Sequence, residues 1–184
     1  MAIHAAQHHG ASVVGITIGL GSPLLSTLLD LRGYSATLNG LSAAVAGIAA
    51  LVASPVTPEI AKRFGVAQTL CAAIIGCSAA FAGFWIFDSY LVWLLLRLVL
   101  GFSLTTIFIL SEYWMTMATP PHARGTIFGI YATVLSLGYA LGPWLFSKAG
   151  YEGFLPFGMA IGITLFALIP LVAAWKDSPS VSKR

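Results

Sequence analysis

Residues 124–146 read RGTIFGIYATVLSLGYALGPWLF, and after Arg124 no charge interrupts them. At a rise of about 1.5 Å per residue, the stretch is long enough to cross the roughly 30 Å hydrocarbon layer of a bilayer. It reads as a membrane helix. Its small residues are ordered: Gly125, Gly129, Ala132, Ser136 and Ala140 recur at steps of three and four, while Gly138 and Gly142 mark a second face. Lipid gives apolar helices no hydrophobic reason to associate, so close backbone approach at small residues holds them together. This helix is expected to pack on two sides. Pro143 removes one hydrogen bond near its far end and predicts a kink.

Composition agrees with a membrane setting. The 184 residues are 58% hydrophobic and only 8% charged, with a mean hydropathy of +0.91, whereas charged residues make up about a quarter of an ordinary soluble domain. The net charge of +3 is spread over basic residues that sit mostly at the ends of apolar segments. They act as topology signals, and no nucleic-acid partner is expected. Cys71 and Cys77 fall within one apolar segment and read as packing residues, without a disulfide framework or zinc spacing.

Outward from residues 124–146, the hydropathy pattern predicts an all-α, six-helix integral membrane bundle. Its spans are about 11–29, 40–56, 66–87, 91–113, 124–146 and 154–175, with a short segment 1–10 before them and a polar tail 176–184 after them. No signal peptide is apparent at residues 1–10. His4 and His8 are one helical turn apart, but without a carboxylate or thiolate companion they read as part of a terminal helix, and no metal or cofactor is expected. Gly19, Gly21 and Pro23 interrupt the first span, as suits a loosened helix facing a cavity. The second span repeats Ala43, Gly47, Ala50 and Ser54, with Ala46, Ala49 and Ala53 beside them, and also expects a close neighbour. Six spans put both termini on one side. With that side cytoplasmic, Lys62, Arg63, Arg124, Lys176, Lys183 and Arg184 lie inside, against Arg32 and Lys148 outside, which satisfies the positive-inside rule at a cell membrane.

Two ionisable residues stand out in the fourth span. Arg97 lies seven residues, or about 10 Å, inside the predicted helix, and a buried arginine there is a functional candidate by default. The alternative is that it snorkels outward, or ties down a helix end through Asp30 or Asp88. Glu112 is fifteen residues further on, about 22 Å along the axis, and so needs another partner. Arg63 and Arg124 should lie on its side of the membrane, and a Glu112, Arg63 and Arg124 cluster is predicted there as a cytoplasmic gate.

Three motifs carry a resemblance. Gly129, eight residues, Gly138, three residues, then Gly142-Pro143 resembles the fifth-helix motif of the major facilitator superfamily, met especially in its antiporter branches. The segment TPEIAKRFGVA at 57–67 resembles that superfamily's motif between helices two and three: Arg63, Phe64 and Gly65 match its centre, with Ile60 and Ala61 ahead of them. Pro58 stands where its first glycine would be. Lys62 replaces its acidic residue, which removes the group that would cap a helix of the opposite half. Arg97, three residues, then Gly101 resembles the fourth-helix motif, whose arginine is linked to proton coupling or to substrate charge.

The resemblance implies a secondary transporter working by alternating access, with twelve helices in two six-helix halves and a site near the midplane between them. This chain supplies one such half. Helices one and four then line the cavity, which makes Thr17, Ser22, Ser26, Arg97, Ser103 and Thr106 its candidate residues, while helices two and five meet the other half. That half would be a second copy, a separate chain or a continuation. The fifth-helix motif implies proton-linked export of a small molecule. The competing reading is a non-transporting six-helix subunit docked on a larger membrane complex. No enzyme chemistry is expected, because there are no paired intramembrane carboxylates, metal-ligand cluster or phosphate loop in the sequence.

Overall fold

The computed structural model describes residues 2–175, 178 and 179, with side chains described from Val14 onward. Its helices are α1 (Ala2–Leu31), α2 (Ala36–Phe64), α3 (Val66–Ile86), α4 (Tyr90–Ala118), α5 (Arg124–Ala149), α6 (Leu155–Phe166) and α7 (Leu168–Ala173), with a 3-10 turn at Pro121–Ala123 before α5. Among the described residues six segments are long and apolar enough to cross a membrane, the last being α6 and α7 together. The fold is all-helical, as the hydropathy pattern predicts. The side chains of His4 and His8 and the tail positions 176, 177 and 180–184 lie outside the described residues.

Three features of the helices differ from the pattern read in the sequence. The segment from Thr57 onward, expected as a loop, is the last part of α2, which runs through Pro55 and Pro58 to Phe64. Each proline removes only one N–H from the ladder. Lys62 and Arg63 meanwhile place positive charge at the negative end of the helix dipole. The turn to α3 is then a single residue, Gly65, at φ +93°, a conformation glycine adopts without steric penalty. The sixth span, expected as one helix, divides at Ala167. Pro170 has no N–H for the carbonyl of Phe166 and its ring crowds that carbonyl, so the helix restarts one residue later. In α1, Gly19, Gly21 and Pro23 leave the helix unbroken, so the expected loosening is absent.

Of the main pairings, α3 with α4 joins helices that follow one another in the chain, and the others join helices further apart. α1 packs along α5, α2 along α4, and α3 against α4 and α6. Missing side chains explain the first two pairings. A Cβ added at Gly15 would strike the carbonyl oxygen of Leu135, and one at Gly19 that of Tyr139. Pro143 cannot donate to the Tyr139 carbonyl in the normal helical bond, and that freed carbonyl is the one seated against Gly19. A Cβ at Gly101 of α4 would likewise strike the carbonyl of Ala46 in α2. Such notches let backbones touch and gain dispersion contacts that lipid cannot supply as specifically.

Larger side chains fill the centre, where Leu20, Leu24, Leu25 and Leu29 of α1 meet Phe81 and Phe84 of α3 and Trp93 of α4. The Phe84 and Trp93 rings meet edge to face at 5.1 Å. One end of the bundle is tied by polar and aromatic contacts. Arg32 pairs with Asp88 at 2.8 Å and lies over the Trp93 ring at 4.3 Å. Tyr34 stacks on Tyr90 at 5.0 Å, and the Tyr90 hydroxyl donates to the Leu38 carbonyl at 2.7 Å. The α1–α2 and α3–α4 turns therefore share one face of the membrane.

Candidate functional site

Below that tied end, Arg97 sits seven residues into α4 and is 7% exposed. It does not snorkel out. Its Nε donates to the hydroxyl of fully buried Ser42 in the first part of α2, at 3.0 Å. The two carboxylates suggested as its ties are engaged elsewhere: Asp88 with Arg32, and Asp30 with Asn39. Among the described residues no ion pair includes Arg97.

Arg97 lines a cleft of about 340 Å³ between α1, α2 and α4. From α1 come Ser22, Ser26 and Asp30, spaced by four and therefore on one stripe of the helix. From α2 come Ala36, Asn39, Gly40 and Ala43, whose small members leave the space open. Asn39 stitches the two helices. Its Nδ2 donates to the Ser26 hydroxyl at 2.8 Å, the Ser26 carbonyl at 3.2 Å and Asp30 Oδ1 at 3.0 Å. The cleft thus holds a buried guanidinium with one of its five N–H donors engaged by Ser42, two serine hydroxyls and an exposed carboxylate.

The structure divides the candidates drawn from helix position. Ser22, Ser26 and Arg97 share the cleft, whereas Thr17, Ser103 and Thr106 do not. Thr17 meets Thr164 of α6 at 3.3 Å. Because the Thr164 hydroxyl donates to the Ala160 carbonyl at 2.7 Å, its single proton is committed, and Thr17 is the donor of the pair. Thr106 meets Thr57 of α2 at 2.9 Å in the buried interior. Ser103 packs against Gly76 of α3, and with Thr106 it lines a separate, mostly apolar cavity between α2, α3 and α4. These hydroxyls serve helix contacts because their rotation about each helix axis turns them from the cleft.

The expected Glu112, Arg63 and Arg124 cluster does not form. Arg124 Nε donates to the Thr119 carbonyl at 3.3 Å, closing the α4–α5 link. Arg63 lies over its neighbour Phe64 at 5.3 Å. Among the described residues no ion pair joins either arginine to Glu112. Lys62, one turn from its own helix's carboxylate, pairs with Glu59 at 2.8 Å.

The helix-five motif also divides. Gly138 and Gly142 are buried, and a Cβ at Gly142 would strike the Gly19–Leu20 peptide of α1. Gly129 has open space about it. With Ala132, Ser136 and Ala140 it forms an exposed stripe on α5, and Pro143 is exposed as well. On α2 the pattern repeats: Ala49 and Ala53 are buried toward the bundle, while Ala43, Gly47 and Ser54 are exposed. The sequence reading leaves out Ser42 and Asn39, and gives Asp30 only as a tie for Arg97 at a helix end. The step of four through Ser22, Ser26 and Asp30 was the available signal.

A family model described as Major Facilitator Superfamily matches residues 10–184. A protein of Bacillus subtilis (strain 168), named as an uncharacterized MFS-type transporter YfkF, is 30% identical over 160 residues. That match covers 85% of this chain and 40% of the relative, so the chain spans less than half of the relative's length.

Proposed function

Because this chain belongs to the major facilitator superfamily of membrane transporters, we propose that its six spans are one half of a secondary transporter that exports a small molecule by proton-linked exchange. A second six-helix half completes it, and alternating access proceeds by rocking of the halves about a site between them. Both termini lie at the cytoplasmic face of the cell membrane. The exposed small-residue stripes of α2 and α5 support a close-packed partner on that side.

The observation that carries this reading is the Arg97 guanidinium, buried at membrane depth and lining an open cleft. A charge in that position is costly unless something in the cleft meets it. In the proposed cycle the acidic group of the substrate does so. The glycine and proline motif of α5 supports proton linkage. Glu112, Arg63 and Arg124, unpaired with one another here, would approach when the cytoplasmic ends of the halves close.

Export from cells or reconstituted vesicles under an imposed pH gradient tests the reading. Arg97→Ala is expected to abolish export, and collapse of the gradient to stop it in the unmodified protein. Export by Arg97→Ala at the unmodified rate would overturn the role given to the cleft. Export indifferent to the gradient would overturn proton linkage.

A further inference from the structure

We propose that the Arg97 cleft takes a small zwitterion, with the ligand's carboxylate on Arg97 and its ammonium on Asp30; this rests on the reading of the cleft as a transporter's substrate site. Two opposite charges line the same cavity without joining. Arg97 engages Ser42 through Nε, and among the described residues its remaining N–H donors are left for a ligand. Among the described residues Asp30 accepts a side-chain hydrogen bond from Asn39 through Oδ1, and none is made to Oδ2. Had these two side chains formed an ion pair, the cleft would present a neutral wall. Asn39 instead holds Asp30 Oδ1, and the same amide also binds Ser26. The site therefore displays a separated positive and negative pole, with the Ser22 and Ser26 hydroxyls on the α1 wall that ends at Asp30.

That polarity selects among ligands. A simple acid satisfies Arg97 but brings like charge toward Asp30, and a simple amine does the reverse. A molecule carrying both groups meets both poles, and complementary charge is what rejects the other two. The volume of about 340 Å³ is at the small end of ligand pockets and has room for an amino acid.

The test is thermal stabilisation of the purified particle formed by the full chain. The twenty L-α-amino acids are added singly, each beside the 2-hydroxy acid and the primary amine of the same side chain where these exist. At least one amino acid is expected to bind about tenfold or more tightly than both its hydroxy acid and its amine, a ratio worth about 1.4 kcal/mol. Asp30→Asn, at an exposed position, is expected to keep the fold and bring hydroxy acid and amino acid to equal affinity. Equal binding of the two by the unmodified protein, lost in Arg97→Gln, would overturn the zwitterion and leave the anion-binding cleft standing. Binding by none of the amino acids also overturns the zwitterion. If Arg97→Gln moreover exports normally, the substrate cleft itself falls.

Discussion

Gly142 of α5 lies against the Gly19–Leu20 peptide of α1, where neither helix could carry a side chain without displacing the other's backbone. The contact falls beside two prolines, Pro23 in α1 and Pro143 in α5. Each removes a ladder bond, from the Gly19 and Tyr139 carbonyls respectively. The most extensive interhelical seam of the bundle is therefore built beside a missing ladder bond in each helix.

Gly19→Leu and Gly142→Leu should each destabilise the bundle by about 3 kcal/mol, the upper end of overpacking costs, because backbone rather than a movable side chain stands in the way. Thermal unfolding in detergent measures this. Unfolding at the unmodified temperature would mean that the seam opens without cost.

Gly129→Leu and Gly47→Leu test the opposite situation. Neither glycine has an atom within reach of an added Cβ, so the six-helix unit should keep its stability within about 0.5 kcal/mol, as for ordinary surface changes. Association should suffer instead. The mass of the gently extracted particle is expected to fall to that of a smaller species in either variant, and an unchanged mass would show that these stripes face lipid.

The Thr57 and Thr106 hydroxyls, 2.9 Å apart in the interior, join α2 to α4. Hydrogen bonds between membrane helices average about 0.6 kcal/mol and reach about 1.7 kcal/mol. Thr106→Val should cost an amount in that range, and the double change with Thr57→Val should cost less than the sum of the singles, since no lone hydroxyl remains. A double-mutant cycle giving strictly additive losses would show that the two hydroxyls are not coupled.

Arg32 makes two contacts at the tied end, with the Asp88 carboxylate and over the Trp93 ring. Asp88 is highly exposed, so Asp88→Asn should cost no more than about 1 kcal/mol and matter less at high salt. Arg32→Ala should cost more, because it also loses the cation–π contact. Arg32→Lys should restore only part of that, as an ammonium lacks the planar face that stacks on the indole. Equal losses for Asp88→Asn and Arg32→Ala, measured by thermal unfolding across a salt series, would leave the ring contact without a role.

Hydropathy and residue spacing alone determined that the chain is a six-span membrane bundle, that α2 and α5 carry small-residue faces, and that Arg97 stands at depth. These are local properties: each depends on how a stretch of about twenty residues partitions between water and lipid. Tertiary structure decided which face of each helix is spent inside the chain. In α5 it is Gly138 and Gly142, leaving Gly129 and Ala132 outward. In α1 and α4 it is Thr17, Ser103 and Thr106, leaving Ser22, Ser26 and Arg97 to the cleft. Nothing within one helix fixes its rotation. That is set by backbone contact between residues far apart in the chain, Gly19 on Gly142 and Gly101 on Ala46, and only when those notches engage do Ser42, Asn39 and Asp30 come to surround the arginine.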